Sequence, residues 1–165
     1  MSPEEFKKYF AEIQIKINRS QKDILRIVGN DVRELFRKNF ESQGFFGKGW
    51  YEVNRRKLTQ KKYKTKGGKV KFKLVPAAKG AAATRKILHG QGRNLSRSLK
   101  IKISGNTVTI SSDLAYSAAH NEGTENAGRS RNVKIPQRQF MGNHPQVESL
   151  IKKTIETEIN KILKP

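Results

Sequence analysis

The tripeptide His120-Asn121-Glu122 has the His-x-Glu spacing with which zinc deaminases supply a metal ligand and a general acid/base. That chemistry takes two or three cysteines to complete the metal site, and the chain has no cysteine. A metal-dependent nuclease would suit a basic protein, but it needs histidines and carboxylates converging on one cation. His89, His120 and His144 stand far apart, and the basic half of the chain offers no carboxylate partner. Ser, His and Asp are all present, yet the Gly-x-Ser-x-Gly elbow of a hydrolase is missing. The run Gly44-Phe45-Phe46-Gly47-Lys48-Gly49 lacks the spacing of a phosphate-binding loop, and no strand pattern precedes it. No catalytic residue, metal or cofactor is therefore expected. His120 reads as a packed histidine donating to a backbone carbonyl, and Tyr116 as part of the core.

Charge is the stronger signal. The 165-residue chain carries +21, and the excess belongs to one segment. Between Val53 and Ser112 stand 17 Lys or Arg and no Asp or Glu, which leaves 18 basic against 14 acidic residues elsewhere. Such a field favours nucleic acid, or an acidic protein surface, by long-range attraction and counterion release. Lys61, Lys62, Lys64, Lys66, Lys69, Lys71 and Lys73 are the candidates for contact with a polyanion or partner. There is no run of 18 apolar residues and no secretory leader pattern, so the protein is expected to be soluble and not exported. The absence of cysteine fits an intracellular origin.

The elements that must position these residues follow from periodicity. Ser2-Pro3-Glu4-Glu5 is a helix start with a serine cap and a glutamate placed for a capping box. Phe6, Phe10, Ile13, Ile17, Ile24, Ile27, Val28, Leu35, Phe36 and Phe40 recur at helical spacing, a stripe expected to pack in the core. A continuous helix from Pro3 to Phe40 would be about 57 Å long, so a break is expected at Asn18-Arg19-Ser20, with Ser20 capping a second helix. Gly44 to Trp50 reads as an irregular loop pinned by Trp50. Residues 55–86 read as a basic, mobile loop or arm, with a short edge strand at Val70, Phe72 and Leu74 as an alternative. Leu99, Ile101 and Ile103 alternate with Lys100 and Lys102, and Val108 and Ile110 return beside them after Ser104-Gly105-Asn106, which makes a β-hairpin. A short helical turn at 94–98 leads into it. Residues 114–119 form an apolar run, 123–132 a glycine-rich loop, and 144–163 a helix with one apolar face. One domain over 1–165 is expected: a helical region 2–41, the basic segment 55–86, a sheet region 87–142 and the final helix.

The order of small motifs resembles a known family. Gly44 to Trp50, Leu58-Thr59, Ile87-Leu88, Gly92-Arg93-Asn94-Leu95 with Ser98, the Val108–Ile110 strand, Tyr116 with His120 and Gly123, and Ile135-Pro136-Gln137-Arg138-Gln139-Phe140-Met141-Gly142 occur in series. Over about residues 35 to 163 this is similar to the phage virion morphogenesis family, of the Mu-like G-protein and tail-completion S-protein type. Ser117, Asn121 and Glu122 depart from the family pattern, as does the enlarged lysine-rich segment after Thr59.

The resemblance implies a non-enzymatic phage or prophage protein that completes the tail or joins it to the head. It implies an α+β fold in which N-terminal and C-terminal helices pack on a small antiparallel β-sheet containing the 98–111 hairpin, beside a long basic loop or arm. It also implies ring-type assembly with other tail or neck proteins and residence in the host cytoplasm and then the virion, with the basic segment facing either packaged DNA or an acidic surface on a neighbouring ring. The motif residues Trp50, Gly92, Leu95, Tyr116, His120, Gly123, Pro136, Arg138 and Phe140 would be structural. Pro136 would fix an extended approach for Ile135, Phe140 would anchor the last connection in the core, and Arg138 would pair with a carbonyl or with Glu122. A free-standing nucleic-acid-binding protein is the rival reading.

Overall fold

The computed structural model describes residues 2–90 and 94–163. In chain order the elements are α1 (Pro3–Ser42), β1 (Gly44–Phe45), β2 (Lys48–Gly49), β3 (Leu58–Lys64), β4 (Val70–Pro76), α2 (Ala81–Thr84), α3 (Asn94–Arg97), β5 (Leu99–Ser104), β6 (Thr107–Ser112), α4 (Ser117–Glu122), β7 (Thr124–Ala127), β8 (Val133–Ile135) and α5 (Pro145–Leu163). Among the described residues the strands pair antiparallel in four two-stranded sheets, each formed by neighbours in the chain. The class is α+β, with helices at both ends and small antiparallel sheets between them.

The chain divides into two compact units. The first holds residues 1–38, 98–115 and 141–165. Helix α1 starts as its sequence requires: Glu5 N donates to Ser2 Oγ at 3.2 Å, and Ser2 N donates back to Glu5 Oε2 at 2.6 Å. The break expected at Asn18-Arg19-Ser20 does not occur, and the helix runs unbroken for 40 residues. Asn, Arg and Ser each cost only a few tenths of a kcal/mol (~0.2–0.7) inside a helix, too little to stop propagation where no proline intervenes. The apolar stripe is not all core either. Phe6 and Phe10 are 54% and 53% exposed, whereas Val28, Val32 and Phe36 are buried.

The hairpin β5–β6 has the expected register, with Ile101 opposite Ile110 and Ile103 opposite Val108. Gly105 takes a φ of 56° at its turn, where a side chain would be strained. Gly29 lets this hairpin sit directly on α1, because a Cβ there would lie 2.9 Å from both Ile101 Cγ2 and Val108 Cγ1. Helix α5 is tied to α1 by a hydrogen bond from Thr154 Oγ1 to Asp31 Oδ2 at 2.8 Å. Leu99 and Val147 are also buried in this unit.

The second unit holds residues 39–97 and 116–140. Its centre is aromatic: Phe40 and Phe140 are fully buried with ring centroids 4.9 Å apart, and Trp50 meets Phe40 edge-on at 5.7 Å. Ile87 and Leu95 are buried in the same unit. The expected irregular loop at Gly44–Trp50 instead contains the paired β1 and β2. Gly47, at a φ of 92°, takes the left-handed turn between them.

The loop or arm expected over 55–86 is also replaced by structure. Strands β3 and β4 pair over seven residues each, from Leu58 opposite Pro76 to Lys64 opposite Val70. Thr59, Tyr63, Val70, Phe72 and Val75 favour extended backbone, and Gly67-Gly68 lies between the two strands. Likewise the glycine-rich loop expected at 123–132 opens with β7, which pairs with β8 through a register shift between Thr124 and Ala127.

Candidate functional site

The backbone from Pro136 to Phe140 is held by polar contacts on several sides. Arg138 N donates to His120 O at 2.7 Å, and Phe140 N donates to Asn121 Oδ1 at 3.0 Å. The Gln139 carbonyl accepts the Trp50 indole N–H at 2.7 Å, and the Phe140 carbonyl accepts Asn39 Nδ2 at 3.0 Å. Asn39 uses its other amide atom to accept from Phe46 N at 3.2 Å, so one buried side chain joins the β1–β2 turn to this segment. Gly123 sits where the segment passes closest. Its φ is 80°, and a Cβ would stand 2.8 Å from Gln137 N. Pro136 follows directly on strand β8, whose last residue is Ile135.

Beside this segment lies a cavity of about 370 Å³, lined by Val53, Arg55, Arg85, His89, Leu95, Tyr116, His120 and Arg138 among others. Among the described lining residues three are arginines and none is a carboxylate. Arg55 Nη2 donates to the carbonyls of Arg85 and Lys86 at 3.1 and 2.9 Å. Arg56 Nη2 reaches the same Arg85 carbonyl at 2.7 Å and Gln43 Oε1 at 3.0 Å. Arg138 is buried, and its Nε donates to the Tyr51 carbonyl at 3.2 Å. Its pairing is thus with a carbonyl.

The electrostatics are those of crowded positive charge. Burial, and then the charges of Arg56 and Arg85, disfavour the ionised form of Arg55, with Glu52 opposing. Burial and then Arg55 act in the same sense on Arg138. Glu52 itself is held below the usual carboxylate range, first by the Val53 N–H. His120 is pushed below its ordinary value by burial and then by Arg138. Its Nδ1 is buried without a hydrogen-bond partner among the described residues, so the expected bond from a ring nitrogen to a carbonyl is not seen at this atom. Tyr116, which the sequence places in the core, is 44% exposed; it stands immediately before α4 and meets the His120 ring edge-on at 6.0 Å.

The cavity thus brings together Leu95, Tyr116, His120 and Arg138, while Trp50, Gly123, Pro136 and Phe140 build its surroundings. Gly92 lies outside the described residues. The seven lysines are elsewhere, all exposed on the β3–β4 ribbon and its turn. Paired residues share a face, so Leu58, Phe72, Leu74 and Val70 stand on one face with Lys62 and Lys64. Lys61, Lys71, Lys73 and Tyr63 stand on the other, where Lys73 Nζ lies 5.7 Å from the Tyr63 ring centroid. Among the described residues no group of three or more His, Asp or Glu is placed to hold a metal ion, and no helix is long and apolar enough to cross a membrane.

Sequence reasoning assigns no structural role to Arg55, Arg85, Asn39 or Asn121. The signal for the arginines is chemical identity: they flank the stretch 57–79, whose basic residues are all lysine, and a planar guanidinium suits carbonyl fixation where an ammonium does not. Nothing in the spacing marks the two asparagines.

A model of the phage virion morphogenesis family matches residues 73–160, just over half of the chain. No curated protein and no solved structure matches it.

Proposed function

Because the chain belongs to the phage virion morphogenesis family, we propose that it completes the phage tail or joins head to tail, assembling as a ring through protein–protein contacts. Family membership is the observation that carries this reading, since it gives the chain a structural role in building virions and contacts with other virion proteins. On this reading the protein makes and breaks no covalent bond. It works in the host cytoplasm during assembly and stays in the particle.

Two surfaces support docking as the mode of action. Phe6, Tyr9, Phe10 and Ile15 are exposed along the start of α1, and Leu58, Phe72 and Leu74 are about 60% exposed on the ribbon. Exposed apolar patches of this kind mark protein contacts. The ribbon combines them with seven lysines, which favours an acidic, partly apolar surface on a neighbouring virion protein over bare DNA. A free-standing DNA-binding arm has no use for three large exposed apolar side chains.

Inactivating the gene in an inducible phage tests the role. Electron micrographs of the lysate are expected to show filled heads and tails that have not joined, or tails of abnormal end structure. Normal virions, or a block in DNA replication before heads appear, would contradict it.

A further inference from the structure

The lysine ribbon is the obvious polyanion surface, but the arginine-lined cavity of the second unit is the built site. Arg55, Arg85 and Arg138 line a space of about 370 Å³, and no carboxylate stands among its described lining residues, with room for about a dozen water volumes. A guanidinium has five N–H donors. Arg55 uses Nη2 for its two carbonyl bonds and Arg138 uses Nε for one. The Arg85 guanidinium makes no hydrogen bond among the described residues. Like charges gathered at a half-enclosed place destabilise the fold unless something neutralises them. Glu52, the nearest acidic influence on Arg55 and Arg138, is engaged by the Val53 N–H at 2.8 Å and by Arg56.

We propose that this cavity is an oxyanion site, in which Arg55, Arg85 and Arg138 receive one carboxylate or phosphate group and Tyr116 and Leu95 cover its apolar stem. Planar guanidiniums match the paired oxygens of either group. The volume admits a single such group with a short stem and excludes a nucleic-acid duplex. The carboxylate source is an acidic side chain or chain end of a neighbouring protein, and the phosphate source is the free ion. The inference goes beyond the assembly role and stands or falls separately from it.

Isothermal titration and thermal denaturation of the full chain test it. The probes are inorganic phosphate and N-acetylglutamate amide, with N-acetylglutamine amide as the uncharged control, at constant ionic strength in chloride. One-to-one saturable binding of at least one charged probe is expected, with a rise in Tm and no response to the control. Binding of the glutamate probe alone assigns the site to a protein carboxylate, and binding of phosphate alone to the free ion. Arg85→Gln is expected to raise the ligand-free Tm by relieving repulsion and to weaken binding about tenfold or more, as loss of one charge-assisted contact does. The double variant Lys71→Gln/Lys73→Gln should bind as the parent does. Failure of both charged probes to saturate would overturn the proposal. So would binding that survives Arg85→Gln but is lost with the ribbon lysines.

Discussion

Arg138 separates the packed reading of the motif residues from a surface one. It is only 7% exposed, and its Nε is bonded to the Tyr51 carbonyl. Arg138→Ala is expected to cost about 1–3 kcal/mol, the loss typical of a charged hydrogen bond, or roughly 2–10 °C in Tm for a chain of this size. An unchanged melting curve would return it to the surface. His120 gives a pH test. Its folded pKa is lowered, so its contribution is full above its unfolded value and is lost as pH falls below that value. Tm should therefore decline from about pH 6.5 towards pH 5, above the range in which ordinary carboxylates protonate. His120→Gln should flatten that part of the profile, and a decline of equal size in the variant would contradict the assignment. The sequence exposed Tyr116, His120, Gly123 and Arg138 through their order and spacing. It hid Asn39 and Asn121 because an amide that bonds to backbone leaves no periodic trace, and its partners lie 101 and 19 residues away.

At the scale of elements, alternation and helical spacing carried most of the architecture. The β5–β6 hairpin, the turn at 94–97 and α5 stand where their patterns place them. The misreadings share a cause. Asn18-Arg19-Ser20 has cap chemistry, but a cap acts only where the chain already leaves the helix, and the surrounding residues keep propagation favourable. The alternation of Val70, Phe72 and Leu74 with lysines marks an edge strand, but the lysine-rich stretch before it hides the partner strand β3; cross-strand pairing is a non-local property that composition does not report. The packing of α1 on β5–β6 can be tested at Gly29. Replacement by valine improves intrinsic helix propensity, yet places methyls against Ile101 and Val108, which are stiff at χ1. A net loss of about 1–3 kcal/mol is expected, as for other overpacked sites. Urea denaturation showing equal or greater stability would mean that the hairpin does not sit on that turn of the helix.

For the whole molecule, the proposed assembly role draws on positive charge and exposed apolar surface together. Charge alone would also serve a free nucleic-acid binder, and the two readings separate in solution. A protein that closes into a ring makes one head-to-tail contact repeatedly and stops at a fixed number. A monomer that depends on phosphate contacts loses affinity steeply with salt, by roughly 10³–10⁵ between 50 and 200 mM when 6–10 contacts are made. Sedimentation velocity with light scattering, on the full chain with and without a short DNA duplex across that salt range, is the most direct test. The assembly account predicts a single closed oligomer that forms with concentration and persists at the higher salt, with weak duplex binding. A monomer at every concentration that binds the duplex tightly and releases it steeply with salt would contradict it.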